Sequence, residues 1–169
     1  MRALAFPLLA ALALAGCGLR PLYADGGSGP VATALRSVDV APIAGQTGWL
    51  VYNDLKERLG GAPVTTGAAA AYRLEVELDD NITGLGIRGD RSATRERRTL
   101  RARYRLLDLA TGAVVLDATA GSDAGIDMVS SPYATVAAEQ TAVERLSEVV
   151  ADQIVARVGL FAARGAARP

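Results

Sequence analysis

Apolar side chains recur at every second position along four stretches of the chain and at helical spacing along two others. Ser37-Val38-Asp39-Val40-Ala41-Pro42-Ile43 alternates and stops near a proline, which predicts a first strand at a sheet edge. After a predicted turn from Gly45 to Gly48, Trp49, Tyr52, Leu55 and Leu59 fall on one helical face, with Gly60-Gly61 as the stop. Tyr72, Leu74, Val76 and Leu78 then alternate with Arg73, Glu75 and Glu77, as do Leu100, Ala102, Tyr104 and Leu106 with Thr99, Arg101, Arg103 and Arg105. Each pattern predicts a strand with one wet face. Asp108 to Gly112 turn into Val114, Leu116, Ala118 and Ala120, completing an antiparallel meander.

Ser131-Pro132 opens a long helix whose apolar stripe is Val136, Val143, Leu146, Val150, Ile154 and Val158, with an expected stop at Gly159. The order of elements predicts an α+β domain, a four-stranded mostly antiparallel sheet with two helices packed on one face. Its expected bounds are 31–160, with 161–169 a disordered tail. Trp49 and Tyr133, at the starts of the two helices, are either interface anchors or core residues, and burial preference favours the core.

The first residues change this picture. Met1-Arg2 followed by an apolar run from Ala3 to Ala15 has the form of a secretory signal, too short to span a bilayer. Leu14-Ala15-Gly16-Cys17 places small residues before a cysteine, as lipoprotein processing requires. Residues 1–16 are therefore expected to be a signal peptide, and 17–30 a lipidated N-terminus and flexible tether whose Asp25-Gly26-Gly27-Ser28-Gly29-Pro30 stretch holds the domain off the membrane. Cys17 is the chain's single cysteine, so the fold relies on an ordinary core rather than on disulfides.

Composition narrows the chemistry. The chain has no histidine and a formal net charge of zero, which removes the usual zinc sites and the histidine-dependent nucleophile arrangements. No cofactor and no metal are expected. Carboxylate pairs remain, with Asp79-Asp80 adjacent and Asp123 near Asp127, and an envelope hydrolase could use them. Adjacent acids at a strand end are more often turn formers.

Local charge is more informative than net charge. Between Arg88 and Arg105 stand eight arginines against Asp90 and Glu96, a large part of the chain's 18 basic residues. Arg101, Arg103 and Arg105 are expected to face Glu75 and Glu77 on the paired strand. Arg88, Arg91, Arg95, Arg97 and Arg98 are expected in or beside the hairpin loop with too few acids to neutralise them, which suits an anionic partner. Ile82, Leu85 and Ile87 in that loop add apolar side chains, a mixture suited to a phosphorylated lipid or a membrane-protein wall. Export argues against nucleic acid.

Gly16-Cys17-Gly18-Leu19-Arg20-Pro21-Leu22-Tyr23 resembles the start of the LptE family of lipopolysaccharide-assembly lipoproteins, which more often has Phe in place of Leu19. The element order, the Ser131-Pro132-Tyr133 helix entry and Ala137-Ala138-Glu139-Gln140 are similar to alphaproteobacterial members. The resemblance implies a non-enzymatic outer-membrane lipoprotein, anchored by lipid and facing the periplasm. It further implies a plug in an LptD-like β-barrel and binding of lipopolysaccharide (LPS) through basic residues. Gly18 lacks the aspartate that retains lipoproteins in the enteric inner membrane. A competing expectation is a lipid-anchored auxiliary lipoprotein of an ABC-type lipid transport system.

Overall fold

The computed structural model describes residues 29–60, 70–87, 93–128 and 131–166. The signal segment, Cys17, the tether up to residue 28, Arg88 and Arg91 lie outside the described residues. The elements are α1 (Pro30–Arg36), β1 (Val38–Val40), α2 (Gly45–Arg58), β2 (Tyr72–Ile87), β3 (Ala93–Asp108), β4 (Val114–Asp127) and α3 (Pro132–Ala166). The four strands form one sheet in the order β1-β2-β3-β4, with β1 parallel to β2 and the other pairs antiparallel. The fold is therefore α+β with a mixed sheet. Alternation explains which face is covered: Leu74 and Val76 of β2, Leu100, Ala102, Tyr104 and Leu106 of β3, and Ala120 of β4 join one core with Val51, Leu55, Val150 and Ile154 of the helices.

The short helix α1 is an addition to the expected elements. Pro30 stands in its first turn, where a missing N–H removes no hydrogen bond, and the Gly29 carbonyl accepts from the Thr33 backbone at 3.0 Å. Leu35 anchors the helix in the core. β1 lies at the edge, as Pro42 suggested, but is shorter than expected. The Ala41 N–H still reaches the Leu74 carbonyl at 2.9 Å, and the proline that follows has no donor with which to continue the ladder.

The expected turn over Gly45–Gly48 is instead the first turn of α2, and this moves the buried line of that helix. Gly48, Val51 and Leu55 face inward, while Trp49 is 63% exposed rather than in the core. Gly48 is required by proximity: a Cβ there would lie 2.8 Å from the Ile43 carbonyl oxygen. A hydrophobicity pattern cannot register a side chain that is buried because it is absent.

α3 also differs at both ends. Val143, Leu146, Val150, Ile154 and Val158 are buried as expected, but Val136 is 61% exposed and Tyr133 is 86% exposed. The helix continues through Gly159 to Ala166, past the expected domain end. A glycine inside a helix costs about 1 kcal/mol, and packing beyond it offsets that cost: Phe161 meets Tyr72 edge-on with ring centroids 5.9 Å apart.

β2 and β3 run far beyond the expected strands, so Asp79 and Asp80 lie within β2 rather than in a turn. Asp79 is turned to the wet face opposite Arg101. Asp80 is turned to the helix side, where polar partners receive it. Arg98 donates to its two carboxylate oxygens at 2.9 and 2.6 Å, and Thr47 of α2 donates to Oδ2 at 2.7 Å. Arg98 also donates to the Glu139 carbonyl of α3 at 3.2 Å. One half-buried ion pair thus forms a clamp that joins β2, β3, α2 and α3. The Arg98 bond, with that of Thr47, holds the Asp80 carboxyl below its ordinary value of 3.8 although burial opposes the shift, and the Asp80 bond raises Arg98.

Two stability measurements check these points. Gly48→Ala is expected to lower the free energy of unfolding in urea by about 1–3 kcal/mol, because the methyl meets backbone. Asp80→Asn is expected to cost about 1–2 kcal/mol near neutral pH, since the pair is only partly desolvated and one partner is left behind. A depressed folded-state pKa contributes stability above the unfolded value and loses it as pH falls through the folded value. The difference between wild type and Asp80→Asn should therefore shrink below pH about 4; an equal difference at both pH values would contradict the assignment.

Candidate functional site

The sheet face turned away from the helices collects the charged positions of the alternation. On β3 it carries Arg95, Arg97, Arg101, Arg103 and Arg105. The register sets Glu75, Glu77 and Asp79 of β2 opposite Arg105, Arg103 and Arg101, as expected for the strand arginines. On the other side β4 supplies Asp117, Asp123 and Asp127. A row of arginines is thus flanked on both sides by carboxylates.

This arrangement corrects the expectation of uncompensated loop arginines. Arg95, Arg97 and Arg98 belong to β3, and each has an acid: Arg95–Asp127 at 3.1 Å, Arg97–Asp123 at 3.9 Å and Arg98–Asp80 at 2.6 Å. Ile82 and Leu85 likewise sit in β2 and not in a loop. Counting charges near Arg88–Arg105 in sequence finds only Asp90 and Glu96. The compensating acids arrive from β4 through strand register, and the odd-numbered spacing of Asp117, Asp123 and Asp127 was the available signal.

Further along the row, Arg103 meets Asp117 at 3.0 Å and Arg105 meets Glu75 at 3.3 Å. The bond between them raises Arg103 and lowers Asp117. Arg101 has no carboxylate within salt-bridge distance among the described residues. Its side chain lies over Gly121, where a Cβ would come 2.6 Å from Arg101 Cδ. There the face sinks into an open groove of about 650 Å³ lined by Glu77, Asp79, Arg101, Arg103, Thr119 and Gln153, among others. Gly121 makes this groove, and nothing in the charge pattern pointed to it.

The carboxylates singled out as a possible acid pair do not converge. Asp79 and Asp80 point to opposite faces of the sheet. Asp123 and Asp127 share a face but are four strand residues apart, about 13 Å, well beyond the separation at which two acids flank one glycosidic bond. Among the described residues no group of three or more His, Cys, Asp or Glu side chains is placed to hold a metal ion. No described helix is long and apolar enough to cross a membrane.

What the face offers is recognition. Exposed ion pairs contribute about 0–1 kcal/mol each, so these arginines and acids can exchange partners at little cost. Large apolar side chains are also exposed elsewhere on these elements: Trp49 on α2, Ile82, the register partner of Arg98, on β2, and Val136 on α3. The expectation that Trp49 and Tyr133 fill the core fails because neither lies on a buried line: α2 buries Gly48, Val51 and Leu55, and the buried apolar line of α3 starts at Val143.

The family model LptE, lipopolysaccharide-assembly, matches residues 35–158. Among solved structures, a lipoprotein from Caulobacter crescentus is similar with a TM-score of 0.66 and 27% identity, over 83% of this chain and 99% of that one. The minor lipoprotein from Acinetobacter baumannii has a TM-score of 0.58 at 15% identity, over 74% of this chain and 92% of that one. The rare lipoprotein B from Shewanella oneidensis gives 0.54 at 12%, over 76% and 98%; at these lower identities the likeness concerns the fold. None of the curated proteins matches the chain significantly in sequence. A family model that spans most of the chain, including the whole sheet and most of α3, places this protein in the LptE family of lipopolysaccharide assembly.

Proposed function

We propose that this LptE-family chain is an outer-membrane lipoprotein that plugs and supports an LptD-type β-barrel and binds LPS through basic residues. In this reading residues 1–16 are removed, Cys17 carries the lipid that fixes the protein to the membrane, and no covalent chemistry is performed. The observation that carries it, beyond family membership, is the sheet face itself. Its alternating arginines and carboxylates nearly balance in charge, and a dense set of exchangeable donors and acceptors suits the polar lumen of an outer-membrane barrel.

The arginines divide by their structural duties. Arg98 is committed to the clamp, with a side chain only 14% exposed, and is withdrawn as an LPS ligand. Arg95 and Arg97 are 61% and 56% exposed in weak bridges, so a phosphate can displace their carboxylates and accept paired hydrogen bonds from each fork. They remain candidates together with Arg88 and Arg91.

Two experiments test the reading. Affinity purification of the tagged full chain from detergent-solubilised envelopes should recover one large outer-membrane β-barrel in stable amount; recovery of transporter subunits instead would favour the ABC-system auxiliary. The double variant Arg95→Gln/Arg97→Gln should fold normally and capture LPS about tenfold less well, a loss of 1.4 kcal/mol. Unchanged capture would remove these residues from the site.

A further inference from the structure

β4 pairs with β3 and with no other strand among the described residues. An edge of 14 residues leaves alternate N–H and C=O groups without a strand partner, the arrangement that recruits another β-segment. At one point this edge is occupied. The Gly121 N–H donates to Gln153 Oε1 at 3.0 Å, and the Gly121 carbonyl accepts from Gln153 Nε2 at 3.3 Å. In an antiparallel ladder both backbone groups of a residue point the same way, so Thr119, Asp123 and Gly125 open their groups on that same side. A glutamine amide carries the donor and acceptor of a peptide unit. Gln153 therefore stands where one residue of a fifth strand would.

We infer that Gln153 is an edge guard, and that the edge it closes is a self-association surface on which β4 pairs antiparallel with β4 of a second copy once the amide is withdrawn. Three features fit a second copy as the occupant. The stretch Ala118–Gly125 has Asp123 as its single charge and contains no proline, so little in it blocks pairing. Centred on Gly121, a two-fold pairing sets Asp123 against Thr119 of the second copy and Asp117 against Gly125, with no carboxylate directly opposite another. Asp117 and Asp127, which could repel an approaching strand, are already bridged to Arg103 and Arg95. An exposed side chain on α3, with Arg58-bound Asp152 before it and buried Ile154 after it, thus holds the longer sheet edge shut without contributing to the core.

The test compares the purified full chain in detergent with Gln153→Ala, which suits an exposed helix position, and Gln153→Met, which keeps the length but not the hydrogen bonds. Sedimentation equilibrium should show both variants self-associating about tenfold more tightly than wild type. Hydrogen exchange should show faster exchange at Gly121 in the dilute variants and added protection across β4 at high concentration. Association equal to wild type in both variants would overturn the inference, as would tighter association with no added protection in β4.

Discussion

Every second residue of β3 from Leu100 to Leu106 is an apolar or aromatic side chain under the helices, and the intervening positions are arginines. The rest of the domain follows from that constraint. A register slip of one residue would carry the arginines into the core and the core onto the surface. Burial of Leu100, Tyr104 and Leu106 favours the observed register by about 1.5–3 kcal/mol per large side chain, and an unpaired arginine in their place would add several more against the slip. Because β3 is flanked on both sides, its neighbours must meet the same division. β2 answers with glutamates and an aspartate on the wet face, and β4 with aspartates and glycines on the wet face and alanines beneath the helices.

The division breaks at the far end of β3, where Glu96 and Arg98 both take helix-side positions and a Glu96 carboxylate oxygen is buried without a hydrogen-bond partner among the described residues, and at Arg98 the elements are also tied together. Arg98 points inward, beyond the apolar part of β3, and is tolerable there because Asp80, Thr47 and the Glu139 carbonyl converge on it. Below this point the helices and sheet are joined by an apolar core. At this point they are joined by directional bonds, and beyond it Val136 and Tyr133 leave the helix stripe exposed.

The sequence disclosed what depends on period: the antiparallel meander, the inward residues of β2 and β3, the central stripe of α3, and the edge position of β1. It did not disclose what depends on contacts between distant residues. Gly48 is buried through proximity to Ile43, a contact with no hydrophobic signature, so Trp49 took its place on the expected helical face. The arginines looked unpaired because Asp123 and Asp127 lie a strand away in sequence and adjacent in space. Gly159 looked like a helix end because the packing of Phe161 on Tyr72 cannot be read from spacing. At the site the arginine row itself was legible, while its near-neutrality, the groove over Gly121 and the structural duty of Arg98 were not.

A face of this kind requires no anion to stabilise it, and its weak, exposed bridges leave it free to meet a polar wall or a phosphate with little rearrangement. Under the proposed plug role, the sheet rather than the helical side is the surface turned to the barrel. The most direct measurement is photo-crosslinking in living cells from a reactive side chain placed at Thr119, on the wet face, with Glu148 on the exposed side of α3 as the comparison. Thr119 is expected to capture a single large outer-membrane β-barrel, and to capture it more strongly than Glu148 does. Capture of that barrel from Glu148 but not from Thr119 would contradict this orientation.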